Sequence, residues 1–88
     1  MLLRILTGVK EFFLMKSRKK LADLEAIGSR IRALRGEMLQ EELAEYLGIS
    51  QGQLSKVERG QLAPTVEILV RLVKRFGKRS DWILTGSE

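Results

Sequence analysis

Two short helical patterns separated by a three-residue joint occupy residues 40–60 and constrain the fold more than any other feature. Their apolar positions recur every three or four residues and are Leu43, Ala44, Leu47, Leu54 and Val57. This spacing predicts one helix from about Gln40 to Leu47 and a second that begins after Ser50. The joint needs a residue that tolerates positive φ, which Gly48 supplies, and Ala44 is small enough for the helices to cross closely. The segment therefore predicts two helices held at a fixed angle by a shared apolar core.

The rest of the sequence is also helical in its periodicity, and no stretch alternates for long enough to predict a strand. Apolar residues three or four apart mark a first helix that ends at Gly36; they are Leu21, Leu24, Ile27, Ile31 and Leu34. Ser50 and Gln53 have the spacing of a capping box at the start of the third helix. Thr65 and Ser80 are suitable N-caps for a fourth and a short fifth helix.

These patterns predict an all-α fold, with a five-helix domain in residues 27–86 and an additional helical arm in residues 1–26. The apolar residues of the arm fall on one helical stripe and are Leu2, Ile5, Leu6, Val9, Phe12 and Phe13. The apolar stretch is too short for a membrane span. A domain this small cannot easily cover the stripe from within, so we expect another chain to cover it, in a homodimer or a larger homo-oligomer.

The composition argues against an enzyme. The 88 residues include no histidine and no cysteine, which removes the commonest general base and the commonest ligands of transition metals. No glycine-rich phosphate loop and no clustered pair of acids is present, so we expect no cofactor and no metal site. The net charge of +5 at pH 7 indicates a polyanionic partner, such as nucleic acid or an acidic membrane.

From about Ile27 to Gly86 the sequence resembles the phage-repressor and Cro type of helix-turn-helix protein, also called XRE-like. The residues that carry the resemblance are Arg35, the segment Gln40–Ala44, the turn at 47–50, the segment Glu58–Gly60, Pro64 and the segment Asp81–Gly86. The resemblance implies a sequence-specific transcriptional regulator of the cytoplasm and nucleoid, most simply a repressor. It would bind double-stranded DNA at a palindromic operator as a homodimer, through the helix at about residues 50–59.

The exposed face of that helix supplies the candidate DNA contacts. Glutamine can pair with adenine and lysine with guanine. By family position, the resemblance implies that Gln51 and Lys56 are the base readers, followed by Ser55. Gly52 stands where the family often has a reader. The expected phosphate contacts, by family position and side-chain chemistry, are Gln40, Gln53, Arg59 and Gln61. The helix-turn-helix core, including Ala44 and Gly48, is expected to be structural.

The resemblance also implies a largely buried ion pair between Arg35 and Glu58. The sequence departs from the family in three places. Leu39 replaces the usual Ser or Thr before Gln40, so that N-cap is absent, and the loop after the third helix contains no lysine or arginine. The connection between Arg35 and Gln40 is also about two residues shorter than is usual.

Surplus apolar residues in the last two helices indicate a dimer interface. The candidates are Val66, Val70, Ile83 and Leu84, whereas Trp82 is expected mostly in the core of the monomer because of its size.

An alternative function is a protein-interaction module, for example an antitoxin-like one, that docks on a protein partner or a membrane surface through the arm. A further alternative for the arm is that translation starts at Met15, so that residues 1–14 are not part of the protein. The dependence of binding on ionic strength distinguishes the DNA-binding function from the protein-interaction function, because DNA binding weakens steeply with ionic strength and apolar docking does not.

Overall fold

The computed structural model describes residues 22–87, which form five α-helices and no strand, in agreement with the predicted all-α fold. The helices are α1 (Leu24–Arg35), α2 (Gln40–Leu47), α3 (Gln51–Glu58), α4 (Val66–Phe76) and α5 (Ser80–Thr85). The arm predicted in residues 1–26 lies almost entirely outside the described residues.

Side chains at the helix starts explain most of the boundaries. The Asp23 carboxylate accepts a hydrogen bond from the amide of Ala26, so α1 begins before residue 27 and the predicted domain boundary falls within its first turn. The capping box of α3 is present: Ser50 Oγ accepts from the Gln53 amide at 3.1 Å, and Gln53 Oε1 accepts from the Ser50 amide at 2.9 Å.

The caps of the last two helices differ from one another. Thr65 Oγ1 accepts from the amide of Ile68, as a Thr N-cap does. Ser80, in contrast, is not the N-cap of α5. The helix begins one residue earlier than expected, so Ser80 already has helical geometry, and the cap position is Arg79, whose side chain makes no capping bond.

Two glycine turns bring the first three helices together. Gly48 has φ of 73° in the left-handed region, and its amide donates to carbonyl oxygens at the end of α2, which turns the chain into α3. Gly36 has φ of 57° and ends α1, so that Met38 and Leu39 lead directly into α2. Residues other than glycine rarely adopt these conformations, which explains why the short connections work.

All five helices contribute to one core. Its buried residues are Ile27, Ile31, Leu43, Ala44, Leu47, Leu54, Val57, Ile68, Leu72 and Ile83. The prediction that Ile83 faces a partner chain is wrong, because Ile83 is 0% exposed. Trp82 is only partly buried at the edge of this core, with the Lys78 ammonium 4.7 Å from its ring centroid. Of the three consecutive apolar residues of α5, only Ile83 is fully buried.

Close contact between α1 and α3 depends on a glycine that sequence reasoning did not single out. A Cβ on Gly28 would collide with the carbonyl oxygens of Val57 and Glu58, and would lie 2.7 Å from the Glu58 carbonyl carbon. Gly28 therefore lets the middle of α1 touch the backbone at the end of α3. This contact fixes α3, whose outer face is the candidate site.

Candidate nucleic-acid interface

The packing of α3 decides which of its side chains face solvent. Leu54 and Val57 are in the core, whereas Gln51, Gly52 and Lys56 are exposed. The positions of Gly52 and Lys56 are four residues apart, so they lie one turn from each other on the outer face. The structure therefore presents two of the three predicted base readers on a polar surface with glycine between them.

Ser55, the third predicted reader, is less accessible. It is half-buried and lies one turn beyond Gln51, on the flank of α3 that faces α1. Its backbone oxygen accepts a hydrogen bond from Arg59 Nε at 3.3 Å. Ser55 therefore lies between the outer face of α3 and the neighbouring helix.

The carboxylate of Glu58 and the guanidinium of Arg35 form a bidentate ion pair between α3 and α1. Arg35 Nε lies 2.7 Å from Glu58 Oε2, and Arg35 Nη2 lies 3.0 Å from Glu58 Oε1. The side chain of Glu58 is only 3% exposed and that of Arg35 is 15% exposed. The hydrogen bonds that Arg35 donates to the Glu58 carboxylate raise the pKa of Arg35 above its ordinary value, against the lowering effect of burial. Arg35 is therefore charged at neutral pH.

Gln40 connects this ion pair to the outer face of α3. Its Nε2 donates to Glu58 Oε1 at 2.9 Å, and its Oε1 accepts from Gln51 Nε2 at 3.4 Å. The Gln40 side chain, which was predicted to bind phosphate, is therefore already hydrogen-bonded to two protein groups. The longer of the two bonds is to Gln51, a predicted base reader. The arrangement fixes Gln51 at the start of α3 while leaving it exposed.

The absent N-cap of α2 is compensated in part. Leu39 has no side-chain acceptor, but Glu42 Oε1 accepts from the Leu39 amide at 3.3 Å, which is one half of a capping box. The acidic residues Glu41 and Glu42 also lie in the first turn of α2, where the helix dipole favours negative charge.

The other predicted phosphate contacts lie around the ends of α3. Gln53 uses its amide oxygen in the capping box, which leaves its amide nitrogen as a donor. Arg59 caps the end of α3, and Gln61 follows it; both side chains are exposed. Arg32 on α1 was not predicted. It is exposed beside Arg59 and Ser55, and its only sequence signal is its position three residues before Arg35 on the same helix.

The remaining dimer candidates line an apolar groove between α4 and α5. The groove has a volume of about 410 Å³ and includes Val66, Val70 and Leu84. These three side chains are 76%, 43% and 39% exposed, respectively. They are large apolar groups left in solvent on one continuous surface, and a second protein surface would cover them.

No helix within residues 22–87 is long and apolar enough to cross a membrane. The same part of the chain contains no group of acidic residues arranged to hold a metal ion.

Comparison with known proteins agrees with the geometry. A family profile described as helix-turn-helix matches residues 30–83. A crystal structure of the P22 c2 repressor protein in complex with a synthetic operator, in the presence of Tl⁺, is similar with a TM-score of 0.64 and 33% sequence identity. The similarity covers 69% of this chain and 96% of that chain. No curated protein sequence is significantly similar to this one.

Proposed function

The chain belongs to the XRE-like helix-turn-helix family of DNA-binding regulators, the phage-repressor and Cro type, and we propose that it represses transcription at a palindromic operator. In this proposal a homodimer acts on cytoplasmic, nucleoid DNA, and each protomer places α3 in the major groove of one half-site. The similar P22 c2 repressor was crystallised with an operator, which supports double-stranded DNA as the partner.

One observation carries the proposal: the exposed face of α3 is polar, uncharged apart from Lys56, and held at a fixed angle by the core. Gln51 and Lys56 flank Gly52 on this face, which contains no acidic side chain to repel DNA. An ordinary solvated helix would favour paired Glu and Lys residues there. Short and amide side chains with one lysine suit a surface that approaches base edges.

The side-chain chemistry assigns a role to each residue. Gln51 is suited to adenine N6 and N7, and Lys56 to guanine O6 and N7. Gly52 leaves open space beside α3, since an added Cβ would meet nothing closer than Ser50 Oγ at 3.9 Å. The major groove of DNA can therefore approach the backbone of α3 closely at this position.

Phosphate contacts would orient α3 in the groove. We assign Gln53, Arg59 and Gln61 to the phosphates on either side of α3, together with the backbone amides at the start of α2 and the side chain of Gln40. The loop of residues 61–65 contains no cation, so phosphate binding there relies on amides and hydroxyls.

Replacing either base reader should relax sequence preference at one base pair. We expect Gln51→Ala and Lys56→Ala each to weaken binding to the preferred site by about 1–3 kcal/mol. Gln61→Ala is the matched control, because it removes an equivalent side chain from a proposed phosphate contact and should weaken binding to all sequences equally. Fluorescence anisotropy against every single-base variant of the site measures both effects. Unchanged preference in both reader variants would refute the assignment.

The groove between α4 and α5 is the proposed dimer interface. We expect Val70→Glu to convert the dimer to a monomer, because a carboxylate would have to be buried without a partner. Light scattering at tens of micromolar measures the mass. Leu62→Glu is the control: Leu62 is also an exposed apolar residue, at 41%, but lies outside the groove, so the dimer should persist. A Val70→Glu protein that remains dimeric would exclude this interface.

A further inference from the structure

An open polar cleft lies between α1 and α3, beside the outer face of α3. It has a volume of about 340 Å³. The residues that line it are Arg32, Arg35, Gln40, Ser55, Glu58 and Arg59. The cleft therefore combines three guanidinium groups and a hydroxyl with a single carboxylate.

Hydrogen bonds within the protein occupy both oxygens of the Glu58 carboxylate. Both oxygens of Glu58 accept from Arg35, and one of them also accepts from Gln40. Arg35 in turn donates its remaining Nη1 group to the carbonyl oxygen of Met38 at 2.9 Å. The floor of the cleft is thus a neutral, hydrogen-bonded unit that holds the ends of α1 and α3 together.

The two other arginines are not neutralised in this way. Arg32 has no acidic partner among residues 22–87. Arg59 uses only Nε, in a bond to the Ser55 carbonyl oxygen, and likewise has no acidic partner in this part of the chain. Two cations thus face the same cleft, Arg32 from α1 and Arg59 from the C-cap of α3, which makes the cleft electropositive.

The hydroxyl of Ser55 is the third group available to a ligand. It is half-buried on the flank of α3 that faces Arg32, rather than on the outer face with Gly52 and Lys56. A serine hydroxyl at this depth can donate to an anion in the cleft, whereas base edges are reached more directly from the outer face.

We propose that this cleft binds one phosphate of the DNA backbone per protomer, with Arg32 and Arg59 as its charged ligands and Ser55 as a hydroxyl donor. The inference rests on the proposed function and adds Arg32, a residue of α1, to the contacts. It also moves Ser55 from base reading to phosphate binding. The rigid floor fixes the distance between this phosphate and the outer face of α3, so the site sets the depth and register of α3 in the groove.

The dependence of DNA binding on salt tests the site. Each phosphate contact contributes a slope of about 0.9 to the fall of log K with log salt concentration. Because Arg59 also contacts this phosphate, we expect Arg32→Gln in the full chain to lower the slope by up to about 0.9 per protomer, or up to about 1.8 for a dimer, on a preferred-site duplex. Sequence preference should stay unchanged, and Arg32→Lys should restore the slope.

Arg79→Gln is the matched control. It removes the same charge, but Arg79 pairs with Asp81 outside the cleft, so the slope should equal that of the wild type. A wild-type slope in Arg32→Gln, with a wild-type melting temperature, would overturn the site and leave the proposed function intact. An equal loss of slope in Arg79→Gln would also overturn it, because net charge alone would then explain the effect. A wild-type protein without salt-dependent duplex binding would overturn both proposals.

Discussion

Glu58→Ala should lower the free energy of unfolding by about 3 kcal/mol or more, since it leaves Arg35 largely buried without its partner. The carboxylate that is lost accepts three hydrogen bonds, two from Arg35 and one from Gln40. For a domain of this size, each kcal/mol corresponds to about 4–8 °C in melting temperature, so we expect a fall of about 12 °C or more. Thermal unfolding followed by circular dichroism measures it.

A double variant distinguishes the electrostatic contribution of the ion pair from the packing contribution of its two side chains. Replacing both partners by apolar residues of similar size, Arg35→Met with Glu58→Leu, removes the unpaired charge and should recover most of the lost stability. If Glu58→Ala has the stability of the wild type and yet fails to bind DNA, the pair has a direct role in recognition and its structural interpretation is wrong.

Gly28→Ala should destabilise the fold by about 2–3 kcal/mol, although alanine favours helices more than glycine does. The added Cβ would collide with the carbonyl groups of Val57 and Glu58, and both sides of the contact are backbone that cannot rotate away. The first and third helices would have to separate. Urea unfolding gives the free-energy change directly.

Gly52→Ala is the matched control, because it makes the same substitution in an exposed helix. An added Cβ at residue 52 would lie 3.9 Å from Ser50 Oγ and in open space otherwise. Its effect should therefore have the opposite sign, a stabilisation of about 0.5–1 kcal/mol from helix propensity alone. Equal effects of the two alanines would contradict the close approach of α1 and α3.

Features that depend on neighbouring residues could be predicted from the sequence. The glycine turn at Gly48 and the capping box of Ser50 and Gln53 are of this kind, because periodicity and local hydrogen bonds determine them. The Arg35–Glu58 pair was expected only from the family resemblance, since the two residues are 23 positions apart and nothing local connects them.

Features that depend on how helices cross could not be predicted. From the sequence alone, Gly28 is only a residue that lowers the stability of a helix. Its role in packing becomes clear when the end of α3 is seen to lie against it. Trp82, Ile83 and Leu84 are consecutive and apolar, so the pattern does not show which one points inward; the packing of α5 selects Ile83. Arg32 becomes part of the proposed phosphate site only because the fold brings Ser55 and Arg59 to its side.

These contacts together explain how a small chain can hold α3, the proposed reading helix, in one position. Gly28 and the Arg35–Glu58 pair fix the end of α3 against α1, and Gly48 fixes its beginning against α2. Gln40 then connects the ion pair to Gln51 at the first turn of α3. Both ends of α3 are thus held against neighbouring helices, an arrangement that suits the specific recognition proposed for its outer face.

Selection of bound fragments from random duplex DNA by the full chain, at one fixed salt concentration, tests sequence-specific recognition most directly. The predicted result is a palindromic consensus whose half-site centres lie about 10–10.5 base pairs apart, or a multiple of this distance. Recovered sequences with no consensus, at a salt concentration where binding is measurable, would contradict the central claim.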